Sequence, residues 1–215
     1  MSRHRVDALV PQAIGWYGKL PTRGDFVGRG LPRPWLRVWD DWLQRSLAEG
    51  ARRLGAEALR ARLLGMPPWQ GLILPAQPGG AAWSGVVAPS SDRVGRVFPL
   101  WLAESYGSEQ LERVSQAALQ HRALCLADWL DRIGALATPK EFEAGAAALT
   151  AKAWNGHAAP DGASVPTVAD LRREAPSGAC SFWWRPEPVG DMPPPIVETW
   201  PPRESLLLDW IGEPH

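Results

Sequence analysis

Apolar and polar residues follow two different periods along this chain, and the changes between them predict its elements. A short apolar run at 14–20 indicates a first strand. Apolar residues at helical spacing then follow Pro32 and Pro34, which suit the first turn of a helix, and Gly50 is predicted to end that helix. A second, arginine-rich helix is predicted at 51–64.

Three apolar runs follow at short intervals and predict an antiparallel meander. They occupy residues 71–74, 82–88 and 97–103, and the segments between them contain the glycines and prolines of turns. These strands are expected to form most of a sheet.

A long helix is predicted next, from Ser108 as its N-cap to Gly134. Arg122 interrupts the apolar stripe of this helix. One interpretation is that the helix bends or that Arg122 extends to the surface. The other is that Arg122 forms a buried ion pair with an acid such as Asp25 or Asp92.

The last third of the chain is predicted to hold smaller elements. Thr138 and Glu141 form a capping box around Pro139 and predict a short helix. The other predictions are a loop at 153–166, one or two helical turns at 167–173, strands at 179–184 and 196–200, and a closing helix at 204–211. This order of elements is typical of an α+β fold, an antiparallel sheet with helices packed on its faces.

The amino-acid composition limits the classes of protein to which this chain can belong. The chain has 23 basic and 23 acidic residues, so its net charge of zero gives no general attraction to nucleic acid or to an anionic membrane. Its apolar runs are too short for a signal peptide or a membrane span, which favours a soluble cytoplasmic protein. Cys125 and Cys180 have apolar neighbours and are predicted to be buried thiols. Thirteen tryptophans predict an aromatic-rich core, an exposed aromatic face, or both.

Motifs for catalysis and cofactor binding are weak. A phosphate-binding loop would need glycine where Ala13 stands and a hydroxyl where Leu20 stands. Cysteines and histidines lack the paired spacing of a zinc site, and no cluster of carboxylates indicates magnesium. A hydrolase with Ser90 or Ser91 as the nucleophile and His121 as the base is the weakest alternative. We therefore predict no catalytic residue, metal or cofactor.

Two charged, glycine-containing stretches resemble each other. GWYGKLPTRGDFVGR spans 15–29, and APSSDRVGRVFPL spans 88–100. One hypothesis is that their charges pair with one another and hold the ends of neighbouring strands. The other is that they form an exposed face for protein recognition, rimmed by aromatic residues. The rim residues would be Trp16, Tyr17, Phe26 and Phe98. The candidate protein-binding residues are Lys19, Arg23, Asp25, Phe26, Ser90, Asp92, Arg93, Arg96 and Trp184.

Trp184 is a candidate because it follows Trp183 directly. Adjacent residues of a strand point to opposite faces, so one indole can enter the core while the other is exposed. Core packing on both faces is the alternative.

With these residues assembled, the chain resembles the TagF family of proteins, which are associated with bacterial type VI secretion. The motifs are GWYGKLPTRGDFVGRGLP at 15–32, WDDWLQRSL at 39–47, WSGVVAPSSDRVGRVFPLWLA at 83–103 and SFWW at 181–184. The resemblance implies a longin-like or profilin-like fold without catalytic activity. We expect a mobile lead-in at 1–12 and a single domain at 13–215, with its core at 13–134 and C-terminal helical and strand additions at 135–215.

The resemblance also implies a function. TagF-type proteins are cytoplasmic, post-translational repressors of type VI secretion that act through a forkhead-associated (Fha-type) scaffold protein. We expect the protein neither to bind nucleic acid nor to insert into a membrane. Some relatives are fused to a PP2C-type phosphatase domain, but this chain lacks the acidic metal-binding set of that domain, so phosphatase activity is not carried over. The alternative is a structural or assembly-chaperone component of the secretion apparatus.

Overall fold

The computed structural model describes residues 9–77, 79–133, 137–151, 154, 166–186 and 194–212. The strands are β1 (Ala13–Gly18), β2 (Val27–Arg29), β3 (Trp69–Leu74), β4 (Ala81–Ala88), β5 (Leu100–Gly107), β6 (Cys180–Trp184) and β7 (Ile196–Thr199). The helices are α1 (Arg33–Leu54), α2 (Ala56–Leu64), α3 (Ser108–Glu112), α4 (Gln116–Ile133), α5 (Pro139–Thr150), α6 (Val168–Glu174) and α7 (Leu206–Trp210).

These strands form one sheet in the order β2-β1-β5-β4-β3-β6-β7. Every neighbouring pair is antiparallel. The predicted meander is present, since β3, β4 and β5 pair consecutively. Strand β1 extends the sheet beside β5, and β6 extends it beside β3. The predicted α+β fold, with helices on both faces of an antiparallel sheet, is confirmed.

One face of the sheet carries a tryptophan cluster beneath α1, α2 and α7. Its buried indoles are Trp39, Trp42, Trp69, Trp83, Trp101, Trp183 and Trp210, and Trp35 and Trp200 pack against them. The ring of Trp39 lies 4.9 Å from the rings of both Trp42 and Trp101. Because an indole buries about 150–250 Å², this cluster explains most of the high tryptophan content.

Gly71 allows the tryptophan cluster to close onto β3. A Cβ at this position would lie 2.3 Å from Cζ3 of Trp183 and 2.5 Å from Cη2 of Trp101. Protein interiors are too densely packed for either ring to move away freely. Glycine weakens a strand interior, so its presence here follows from the packing of the two indoles.

The other face of the sheet is covered by α3 to α6 and contains a buried ion pair. Arg122, on α4, is 8% exposed and donates from Nε and Nη2 to the two carboxylate oxygens of Glu104, on β5. The hydroxyl of Tyr106 also donates to Glu104, at 2.7 Å. Arg122 therefore does not extend to the surface. Its acid is Glu104 rather than Asp25 or Asp92, because Glu104 points from β5 toward α4.

Helix α1 continues past Gly50, contrary to the prediction. A Cβ at Gly50 would lie 2.9 Å from a methyl carbon of Leu59 and 3.7 Å from one of Leu208. This glycine therefore serves close packing inside the helix. Gly55, with a φ of 81°, ends the helix.

The long helix predicted from Ser108 is divided into α3 and α4. Between them, Ser115 forms a β-bridge with Thr167. The backbone near Ser115 therefore bonds to the segment that contains Thr167, and these bonds replace the ones that a continuous helix would make. Gly107 rather than Ser108 is the N-cap of α3, and Oγ of Ser108 instead accepts a hydrogen bond from the N–H of Gly79.

Local predictions elsewhere meet mixed outcomes. The capping box at Thr138 is confirmed, and a second one at Thr167 begins α6. Cys180 is buried as predicted, but Cys125 is exposed, because α4 turns this position away from the sheet.

Part of the predicted lead-in, residues 1–8, and most of the predicted loop at 153–166 lie outside the described residues. Leu9 is buried and pairs with Trp154 through backbone hydrogen bonds of 3.0 and 3.2 Å. The described helices include none long and apolar enough to cross a membrane. The division into a core and C-terminal additions stays a prediction, with β6 and β7 in the same sheet as the earlier strands.

Candidate functional site

The two charged stretches meet at one end of the sheet. The first loop (residues 19–26) follows β1, and the second loop (residues 89–99) precedes β5, which is the antiparallel neighbour of β1. The N–H of Arg93 donates to the carbonyl of Arg23 at 2.8 Å. Oγ of Ser90 donates to the carbonyl of Lys19 at 2.6 Å. The sheet topology thus places the loops in contact, and these two hydrogen bonds hold them there.

Asp92 is the centre of the contact between the loops. Its Oδ2 accepts from Nζ of Lys19 and from Nε of Arg96, both at 2.7 Å. Its Oδ1 accepts from the backbone N–H groups of Val94 and Arg96 at 3.1 and 2.9 Å. Burial alone would raise the pKa of this carboxyl group, but the hydrogen bonds from Lys19 and Arg96 outweigh it and hold the pKa of Asp92 well below its usual range.

Arg96 links the second loop to the first. Besides binding Asp92, it donates from Nη2 to the carbonyl of Gly24 at 2.6 Å. Lys19 and Asp92 are buried, at 6% and 3% exposed. Lys19, Ser90, Asp92 and Arg96 therefore hold the loops together, as the structural hypothesis expects, and the first three have little freedom to meet a partner.

Phe26 is an exposed aromatic ring held in a fixed position. It is 44% exposed, yet it stacks on Tyr17 at 5.6 Å and meets Phe98 edge-on at 4.6 Å. Nζ of Lys19 lies 4.6 Å from the centre of the same ring, a cation–π contact. Tyr17 is itself fixed, because its hydroxyl donates to Asp40 at 2.7 Å.

Three further charged side chains remain open to solvent. Arg23, Asp25 and Arg93 are exposed, and within the described part of the chain their side chains make no hydrogen bond or ion pair. Val94, beside Arg93, is 67% exposed. We call Arg23, Asp25, Phe26, Arg93 and Val94 the loop surface.

The predicted aromatic rim is reduced to one residue. Trp16 and Phe98 are buried, at 4% each, and Tyr17 is half-buried, so Phe26 alone presents its ring. Val94 was not among the predicted residues. An aliphatic side chain inside a turn of charged residues and glycine is the sequence signal that indicates it.

Trp184 does not lie on an exposed surface, so this candidate is wrong. It is 2% exposed, and Trp183 is fully buried. Strand β6 lies between β3 and β7, and helices cover both of its faces, so both indoles enter a core.

An open groove of about 460 Å³ lies beside the two loops. Its walls come from segments that are far apart in sequence, which is why the sequence alone does not indicate it. The lining residues are Pro21, Leu64, Met66, Pro68, Ala88, Pro89, Ser90, Ser91, Leu100, Ala127, Leu130 and Asp131. Most of this lining is apolar.

The candidate hydrolase residues make separate contacts. The hydroxyl of Ser90 donates to a backbone carbonyl, and the ring of His121 lies 4.0 Å from Sγ of Cys125. In the described residues, no three His, Cys, Asp or Glu side chains are grouped in a way that could hold a metal ion.

Comparison with known proteins supports the resemblance seen in the motifs. A family model described as the TagF N-terminal domain, type VI secretion system-associated, matches residues 15–151. The crystal structure of PA0076 from Pseudomonas aeruginosa PAO1 is similar, with 27% sequence identity and a TM-score of 0.67. The match covers 94% of this chain and 96% of that one. No curated protein matches the chain.

Proposed function

The chain belongs to the TagF N-terminal domain family, which is associated with type VI secretion, and from this premise we propose that it is a cytoplasmic, non-enzymatic, post-translational repressor of that system. It acts by binding an Fha-type scaffold protein through the loop surface. The proposal rests on one observation. The ion pair of Lys19 and Asp92 joins the two loops, while Arg23, Phe26 and Arg93 remain exposed.

The chemistry of the loop surface suits protein recognition. Arginine and aromatic side chains supply a large share of the binding energy of protein interfaces. Phe26 is already fixed by three neighbouring groups, and the backbones of Arg23 and Arg93 are joined by a hydrogen bond. A surface that is ordered before binding loses less conformational entropy when a partner docks.

Charge reversal tests the proposal. Arg23→Glu and Arg93→Glu are expected to abolish capture of the purified Fha-type scaffold in a pull-down, with unchanged circular dichroism. Arg113→Glu is the matched control. Arg113 is exposed and follows β5, whereas the second loop precedes β5, so the two lie beyond opposite ends of this strand. Capture that survives both loop variants overturns the proposal.

A second measurement separates repression from assembly. A repressor is expected in a free cytosolic pool after cell fractionation. Stable co-sedimentation with the assembled sheath or membrane complex would instead support a structural or chaperone role.

A further inference from the structure

Two exposed arginines are fixed by hydrogen bonds that join α2 and both loops. Nε of Arg60, on α2, donates to the carbonyl of Gly95 in the second loop at 3.3 Å. Nη2 of Arg96, in the second loop, donates to the carbonyl of Gly24 in the first loop at 2.6 Å. Both arginines are exposed. Their guanidinium groups therefore stay at the surface, while these bonds hold them beside the loops.

Arg93 lies in the tight turn that leads to these two contacts. The N–H of Gly95 donates to the carbonyl of Asp92 at 2.9 Å, which makes Arg93 and Val94 the central residues of a β-turn. Oδ1 of Asp92 accepts from the N–H groups of Val94 and Arg96 and fixes the same turn. Both central side chains are exposed. The turn therefore presents a cation and an aliphatic group to solvent from an ordered backbone.

Arg23 extends this cationic surface onto the first loop. Its carbonyl accepts from the N–H of Arg93 at 2.8 Å, and the next residue, Gly24, accepts from Arg96. The side chains of Arg23 and Arg93 have no hydrogen-bond or ion-pair partner among the residues that the structure describes. Hydrogen bonds thus join four arginine-bearing positions from three separate segments. We call Arg23, Arg60, Arg93 and Arg96 the arginine cluster.

Acidic residues of the same segments do not balance the arginine cluster. The two loops and α2 together contain six basic residues and three acidic ones. Of these acids, Asp92 is buried and already paired with Lys19. Asp25 and Glu57 are exposed, and in the described part of the chain neither forms an ion pair. The excess positive charge therefore favours a partner that supplies carboxylates, with which guanidinium groups form strong bidentate hydrogen bonds.

The rest of the molecule favours a protein as that partner. Helices α3 to α5, on the opposite face of the sheet, contain six acidic residues and three basic ones. Nucleic acid is an extended polyanion that needs many cationic contacts, whereas here the positive charge is confined to one end of the sheet. Phe26 and Val94 add exposed apolar groups beside the arginines. Arginine together with aromatic side chains is typical of protein interfaces.

We propose that the arginine cluster binds an acidic surface of the Fha-type scaffold, where Asp and Glu side chains pair with the guanidinium groups. The inference rests on the proposed function. It adds the chemistry of the partner's surface, and it extends the contact from the loops to Arg60 on α2. Complementary charges speed the encounter of the two proteins and fix their relative orientation.

Zero-length crosslinking with a carbodiimide tests the inference, because this reagent couples a lysine amine to a carboxylate in direct contact with it. The chain contains three lysines, and none is exposed in the two loops or in α2. Arg60→Lys and Arg93→Lys each keep the positive charge and introduce a reactive amine. Arg62→Lys is the matched control, because Arg62 is exposed but lies two residues from Arg60 and so faces another side of α2. With the purified scaffold, we expect positions 60 and 93, but not 62, to form crosslinks to Asp or Glu residues, mapped by mass spectrometry.

The outcomes distinguish the two proposals. If the lysine variants still capture the scaffold but position 60 or position 93 gives no crosslink to a carboxylate, the inference is overturned and the proposed function stands. Equal crosslinking from position 62 also overturns the inference. Failure of the unsubstituted protein to capture the scaffold overturns both proposals. If a lysine variant loses capture, the salt dependence of the unsubstituted protein decides.

Affinity measurements give that independent test. Salt screens exposed charges, so the Kd of the unsubstituted protein for the scaffold should rise about fivefold or more between about 50 and about 300 mM NaCl. Arg60→Glu is expected to raise the Kd about tenfold at the lower salt concentration, and Arg62→Glu should change it little. Isothermal titration calorimetry measures each value, and circular dichroism checks that the variants are folded. A Kd that does not depend on salt, or an equal Kd for the two variants, contradicts the inference.

Discussion

Nζ of Lys19 lies 2.7 Å from Oδ2 of Asp92, although the two residues are 73 positions apart in sequence. Both side chains are buried, and the pair joins the end of β1 to the turn between β4 and β5. Such a pair requires both partners, because the loss of either leaves a buried group unsatisfied.

Lys19→Met is expected to destabilise the fold. Asp92 would keep Arg96 as its remaining cationic partner, so the loss is partial, and we expect the Tm to fall by about 5 °C or more. Thermal unfolding followed by circular dichroism measures the change. Arg62→Met, at an exposed position on α2, is a control that should leave the Tm nearly unchanged. An equal Tm for both variants would show that the Lys19 contact adds no stability.

Stability is expected to depend on the ionisation of Asp92 at low pH. The folded protein lowers the pKa of this carboxyl group below its ordinary value of 3.8. The stabilisation is therefore fully present above pH 3.8 and is lost as the pH falls from there through the lower pKa of the folded state. Comparison of wild type with Asp92→Asn between pH 7 and pH 2 measures this effect. The difference in Tm should shrink on acidification, and a constant difference would contradict the prediction.

The buried pair on the other face gives a larger expected effect. Arg122→Met leaves the carboxylate of Glu104 buried without its bidentate partner and should cost about 3–5 kcal/mol of unfolding free energy. The double variant Glu104→Met with Arg122→Met removes both charges and should recover much of that loss. Urea unfolding provides the measurement. Similar stabilities for the single and the double variant would refute this account.

Gly71→Ala tests the packing of the tryptophan cluster. The added methyl group overlaps the rings of Trp183 and Trp101, so we expect a loss of about 1–3 kcal/mol and altered near-ultraviolet circular dichroism. Gly24→Ala is the matched control, because a Cβ there meets nothing within 4 Å. The packing argument fails if both variants unfold at the same urea concentration.

Phe26→Ala is expected to affect binding more than folding. The ring makes two aromatic contacts, each of which contributes about 0.5–1.5 kcal/mol, and it is 44% exposed. The Kd for the scaffold should rise about tenfold or more, because exposed aromatic anchors dominate interfaces. Isothermal titration calorimetry measures the affinity. Unchanged affinity in a folded variant would remove Phe26 from the binding surface.

Local chemistry predicts many of the elements of this fold. The capping box at Thr138 and the glycine- and proline-bearing turns of the meander depend on neighbours in sequence, and both are found in the structure. Gly50 and Ser115 show where such reasoning ends. The first packs against a distant helix and the second pairs with Thr167, so tertiary contacts decide their conformations.

The candidate site is predictable in part. The sequence indicates that the two loops belong together, but it does not say which of their charges point inward. Lys19 and Arg23 are both cations of one loop, yet one is buried against Asp92 and the other is exposed. That difference depends on how the two loops pack against each other, because the partner of Lys19 lies in the second loop. The groove cannot be predicted from the sequence for a related reason, since Leu64 and Leu130, which both line it, lie far apart in sequence.

The tryptophan cluster also gives the protein a built-in optical reporter. Neighbouring indoles of this cluster are 4.9 to 6.4 Å apart, close enough for excitation to pass among them, so ultraviolet emission reads the core as a whole. Neither loop contains a tryptophan. Tryptophan emission will therefore change when the protein unfolds and will change little when a tryptophan-free partner segment docks at the loops. Unfolding and docking can thus be measured separately in one sample.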